Sequence, residues 1–85
     1  MAFADNNNAL YESKMKVDDV NEVTFSVLEN KRSGMMRASI REFKHTESYD
    51  GPTKNGMMFK LNTIEDVEKY QNAFNEFFEN AKKLF

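Results

Sequence analysis

Between Val23 and Glu29 apolar and polar residues alternate. Val23, Phe25 and Val27 fall on one side of an extended segment, and Thr24, Ser26 and Leu28 fall on the other. That is the period of a strand with one buried face. The stretch MMRASIREFKH, Met35 to His45, alternates in the same way. Met36, Ala38 and Ile40 make a core side, while Arg37, Ser39, Arg41, Phe43 and His45 make an outward side. NKRSG joins the two segments, with Gly34 free to take positive φ. Lys14 to Val20 is a weaker strand candidate, with Met15 and Val17 in phase. MMFKL, with Met57, Phe59 and Leu61 in phase, is a stronger one. TESYDGPTKNG reads as a loop dense in turn residues that closes a long hairpin. Residues 1–12 are polar and read as a flexible N-terminus. The first two-thirds of the chain therefore predicts a meander of three or four antiparallel strands spanning about residues 14–61.

The period then changes. Ile64, Val67, Tyr70, Phe74, Phe77, Phe78, Ala81, Leu84 and Phe85 recur at three and four, with no Gly or Pro among them. Asn62 with Glu65, or Thr63 with Asp66, supplies a capping box. The spacing predicts one helix over about residues 63–85, roughly 33 Å long. A helix of that length overruns a small sheet. Phe74, Phe77, Phe78 and Phe85 at its far end then need another apolar surface, and a second copy of the chain, helix against helix, is the simplest one. The alternative is a helix that bends back onto its own sheet.

Composition adds two points. At 85 residues, with 31% charged and 40% hydrophobic residues, the chain is one globular domain, here residues 13–85, too small to be more than marginally stable alone. It has no cysteine, no apolar run long enough to span a membrane, and no signal-like start, so an intracellular protein of the cytoplasm or nucleoid is expected. The net charge of −2 hides a segregation. Residues 31–60 hold Lys31, Arg32, Arg37, Arg41, Lys44, Lys54 and Lys60 against three acids, while the segments on either side are acidic. Salt screens charges beyond about 8–10 Å, so a local basic patch binds anions even on an acidic protein.

Catalysis finds little to work with. One histidine and no cysteine exclude metal sites built from several N or S ligands, and no metal or cofactor is expected. GPTKNG is not a phosphate loop, because Asn55 follows Lys54 and no helix opens there. Asp18 and Asp19 are adjacent, so on a strand their side chains diverge and make a poor acid–base couple. The chain is not expected to be an enzyme.

SVLENKRSGMMRASIREF, then PTKNGMMFKLN, then a capped amphipathic helix resembles the positive cofactor four family of transcriptional coactivators over roughly Val17 to Leu84. The likeness is carried by the run Ile40-Arg41-Glu42-Phe43, by the Pro- and Lys-containing loop that ends in Gly, and by Leu61-Asn62 at the helix start. It implies an α+β fold: a curved four-stranded antiparallel sheet followed by one long C-terminal helix, dimerising through the helices. It also implies binding of single-stranded DNA with little sequence preference. By the same likeness Arg41 matches a DNA-contacting arginine, Lys31 a basic hairpin residue, and Lys54 approximately a loop lysine. Two of the family's aromatic stacking positions fall on Asn30 and Lys44, and a hairpin arginine falls on Leu28. The eukaryotic regulatory N-terminus, rich in serine and lysine, is absent. A compact bacterial or phage type is therefore implied, acting in transcription or in DNA replication, recombination or repair.

Single strands are held by cations that track phosphates and by rings on which bases stack. Arg37, Arg41 and Phe43 offer both, and Lys31, Arg32, Lys44, Lys54 and Lys60 surround them. Tyr49 and His45 are further aromatic candidates. Two competing readings stand beside this one. Arg37 and Arg41 would form an ordinary solvated face if they paired with Glu29 or Glu42. Alternatively, the protein is a small interaction dimer whose basic face docks an acidic partner protein.

Overall fold

The structure, a computed structural model, describes residues 7–85. Four antiparallel strands, β1 (Asn7–Lys16), β2 (Asn21–Asn30), β3 (Met36–His45) and β4 (Asp50–Lys60), form one open sheet in sequence order. A single helix, α1 (Ile64–Lys82), follows. The architecture is the expected α+β one.

Two strands are longer than the residue pattern suggests. β1 starts at Asn7, so residues 7–12 belong to the sheet and not to a flexible terminus. Residues 1–6 of that stretch lie outside the described residues. The period-two signal is broken by a bulge that places Leu10 as an extra residue between the Ala9–Leu28 and Tyr11–Val27 pairs. At its other end β1 stops before Val17, because Asp18 shapes a turn. Its Oδ1 accepts from the backbone N–H of Val20 at 2.9 Å and of Asn21 at 2.8 Å. β4 absorbs most of the expected loop, leaving a turn at residues 46–49 in which Thr46 N–H donates to the Tyr49 carbonyl at 2.7 Å. Pro52 is tolerated because β4 is an edge strand and does not need every ladder donor. A bulge between the Arg41–Gly56 and Phe43–Pro52 pairs takes up the extra residues.

The β2–β3 connection is tied by Asn30, whose Oδ1 accepts from the backbone N–H groups of Arg32 at 2.9 Å and Ser33 at 3.0 Å. Gly34 closes it at φ +73°. The helix opens on the Thr63–Asp66 capping box, while Asn62 Oδ1 accepts from Met36 N–H at 3.1 Å and docks the helix start on β3. The helix ends at Lys82 rather than Phe85; Leu84 and Phe85 N–H bond back to Ala81 and Lys82 carbonyls in a tightened last turn.

One face of the sheet, carrying Phe25, Val27, Ile40 and Phe59, looks at α1. Phe59 meets Tyr70 at 4.2 Å and Phe74 at 5.8 Å between ring centroids. The core is thin. Leu28, at 8% exposure, is the one buried apolar residue among those described, and it lies on the other face. At usual packing density a chain of this length has a radius of gyration of about 12 Å. This one has 14.9 Å and extends 37 × 37 × 18 Å. Phe77 and Phe78, at 63% and 57% exposure, stand out from the helix, and Leu84 and Phe85 are more exposed still.

Candidate nucleic-acid interface

Antiparallel pairing places facing residues on the same side of a sheet, so the register maps the face turned away from α1 row by row. Lys16, Glu22, Phe43 and Pro52 form one row. Lys14, Thr24, Arg41 and Gly56 form the next, followed by Glu12, Ser26, Ser39 and Met58. Ala9, Leu28, Arg37 and Lys60 form the last full row. This face is concave. All four strands line a trough of about 610 Å³ whose walls include Thr24, Ser26, Leu28, Ser39, Arg41 and Phe43. The curl shields the trough floor, which is why Thr24 and Ser39, expected to point to solvent, are each only 7% exposed.

The phase expected of β3 is the phase observed. Arg41 and Phe43 line the trough, whereas Ala38 and Ile40 line the cavity under the helix. Gly56 faces Arg41 across the β3–β4 ladder. Arg41 Cδ lies 3.3 Å from the place where a Cβ on Gly56 would sit, so the arginine stem lies over the glycine.

The candidate cations divide into three groups. Arg41 occupies the trough. Arg37 and Lys60 continue the same face toward the β2–β3 turn that carries Lys31 and Arg32. Arg37 Nη1 approaches Met58 Sδ at 3.7 Å. Lys44 and Lys54 line a separate hollow at the opposite end, beside Tyr49 and Thr53. The alternation of β3 places Lys44 on the other side of the sheet from Arg41, so the structure does not bring those two together.

The pairing of Arg37 and Arg41 with Glu29 or Glu42 does not occur. Among the described residues the ion pairs are His45 with Asp50 at 2.5 Å and with Glu22 at 3.7 Å, and Lys82 with Glu79 at 3.5 Å. Glu42 Oε1 instead accepts from Thr53 Oγ1 at 2.9 Å and Asn55 Nδ2 at 3.0 Å. Every cation of the basic segment is thus left without a salt bridge among the described residues. Of the other aromatic candidates, His45 is held between two carboxylates and the Tyr49 hydroxyl donates to the Pro52 carbonyl, so both serve the sheet end. Asn30 holds the β2–β3 turn.

The residue pattern missed Lys14 and Lys16, which the register sets on the trough side of β1. It also missed the hydroxyl row of Thr24, Ser26 and Ser39. The alternation of Glu12, Lys14 and Lys16 carried the signal for β1, but it becomes legible only once that strand is known to pair with β2. Among the described residues no His, Cys, Asp and Glu side chains gather as a metal site. No helix among them is long and apolar enough to cross a membrane. No protein-family model, curated protein or solved structure matches the chain.

Proposed function

We propose that the protein is a homodimer that binds single-stranded DNA largely without regard to sequence, in transcription or in DNA replication, recombination or repair. The observation that carries this reading is Arg41: a half-buried residue lining a concave trough together with Phe43, with no acid paired to its guanidinium. A guanidinium with no internal partner keeps its donors available to a ligand that brings acceptors. Arg37 and Lys60, without an acid partner, extend the positive surface beyond one end of the trough, while Lys44 and Lys54 line a separate hollow at the other end. A curved sheet of this kind follows a flexible single strand better than a rigid duplex.

The dimer is supported by the thin core and by the exposed Phe77, Phe78 and Phe85, with Phe74 at the border between the sheet and that surface. Removing such rings from water contributes roughly 25 cal/mol per Å² of apolar area.

The test is fluorescence anisotropy with single-stranded and duplex oligonucleotides of equal length. Clear preference for the single strand is expected. Equal weak binding to both, or none, overturns the reading and leaves the basic face to an acidic partner protein.

A further inference from the structure

We infer that the trough around Arg41 reads the edge of one nucleobase per protomer, and that it favours a base presenting two adjacent hydrogen-bond acceptors, cytosine or guanine. This rests on the single-stranded DNA reading and adds to it a local preference at one nucleotide.

The trough holds unused hydrogen-bonding capacity. Arg41 carries a planar fork of donors. Its stem lies over Gly56, and the guanidinium has neither ion pair nor hydrogen bond among the described residues. Next to it in the register stand Thr24, Ser26 and Ser39, whose hydroxyls are likewise without hydrogen bonds among the described residues. These donors and hydroxyls face the open trough, where a ligand can reach them. Here an arginine fork and three hydroxyls converge on one hollow.

The position of the charges separates phosphate from base. Lys14, Lys16 and Lys60 are exposed and sit on the edge strands β1 and β4, at the margins of the trough face. A hydrated ammonium at a rim suits a phosphate that keeps its own water. Arg41 is half-buried on the inner strand β3, and the hollow it lines is also lined by the apolar Leu28, Phe43 and Pro52 and by the Glu12 carboxylate. A phosphate entering there loses hydration against the apolar side chains and meets the Glu12 carboxylate, whereas a neutral base plane gains contact with those side chains. The base edge then lies against the guanidinium and the hydroxyls.

A fork of parallel donors selects its acceptors. Guanine offers O6 and N7 side by side, and cytosine offers N3 and O2. Thymine and adenine alternate donors and acceptors along the corresponding edges, so one N–H of the fork would face a donor or nothing. A good bidentate contact discriminates by about 1–3 kcal/mol, which is at least about fivefold in affinity.

The test compares oligo(dT) and oligo(dC) of equal length by anisotropy at mildly alkaline pH, where cytosine is neutral. The two bases have the same ring size and differ in edge chemistry. Affinity for oligo(dC) at least about fivefold above oligo(dT) is expected. Arg41→Lys should bring the ratio close to one while leaving the salt dependence of binding unchanged, because the charge stays and the fork is lost. Equal affinities in the unaltered protein, or a preference that survives Arg41→Lys, would overturn the inference and leave single-strand binding intact. Failure of every oligonucleotide to bind would sink the underlying reading and this inference with it.

Discussion

Gly56 makes room for Arg41. A Cβ at Gly56 would stand 2.7 Å from the Ile40 carbonyl oxygen and 3.3 Å from both Cα and Cδ of Arg41. The first of these contacts is with backbone, which cannot swing aside as a side chain can. Gly56→Ala should therefore force β4 away from β3 and cost about 1–3 kcal/mol, the usual range for overpacking. Because the arginine stem lies over the same spot, single-strand affinity should fall as well. Denaturant unfolding followed by anisotropy at a temperature where the variant is folded checks both effects. A variant with unchanged affinity would show that Arg41 does not depend on this seat.

The hairpin cations and the trough cation should behave differently. Lys31 and Arg32 lie on the exposed β2–β3 turn, and each should contribute a phosphate contact only. Lys31→Ala and Arg32→Ala are each expected to reduce the slope of log affinity against log salt by up to about 0.7, the value for one charge on a single strand. Arg41→Ala should lower affinity further than either, since its half-buried stem lies over Gly56 between neighbouring strands and has less side-chain entropy to lose on binding than a residue of an exposed turn. Titrations at several salt concentrations separate the cases. Equal losses for all three would mean that the trough has no special role.

The pattern of side chains in β2 and β3 made the two faces of the sheet legible, because Val23–Val27 and Met36–Phe43 alternate without a break. The helix was legible for a similar reason, and its cap was narrowed to Asn62 with Glu65 or Thr63 with Asp66, of which the fold uses the second. β1 was obscured by its bulge at Leu10, which shifts the alternation by one residue in mid-strand. β4 was obscured by Asp50, Gly51 and Pro52, residues that mark turns in general but are tolerated on an edge strand beside a bulge. The site was legible on one strand only. Period two assigns Arg41 and Phe43 to the outward side. Which residues of β1, β2 and β4 face them is set by register, and register depends on bulges and turns that single segments do not display. Hence Lys14, the hydroxyl row and the Gly56 seat emerge only from the assembled sheet.

The far end of α1 carries the assembly prediction. Phe77 and Phe78 touch one another edge to face at 5.1 Å between centroids and are otherwise largely open to water. Sedimentation of the unaltered protein at micromolar concentration should give a dimer. Phe77→Asp should give monomer or aggregate, because it puts a charge into the surface that the second copy would cover. A stable monomer from the unaltered chain would contradict the helix-to-helix arrangement.

Acid should loosen the β1–β2 turn first. Asp18 is held below the usual carboxylate range, chiefly by the hydrogen bond from the Asn21 side chain, then by the Val20 and Asn21 backbone N–H groups, with Lys44 adding a favourable charge and slight desolvation opposing. A carboxylate whose pKa is lower in the folded state binds its proton more readily when unfolded. Its contribution to stability is therefore complete above the unfolded-state pKa and is lost as pH falls through the folded-state value. Asp18→Asn keeps an acceptor oxygen but has no charge to titrate. The variant should be less stable than the unaltered protein at neutral pH. The gap should close on acidification below the carboxylate range, as protonated Asp18 comes to resemble the amide. Thermal unfolding of both proteins across that pH range measures the gap. A difference that stays constant with pH would show that the Asp18 charge plays no part in holding the turn.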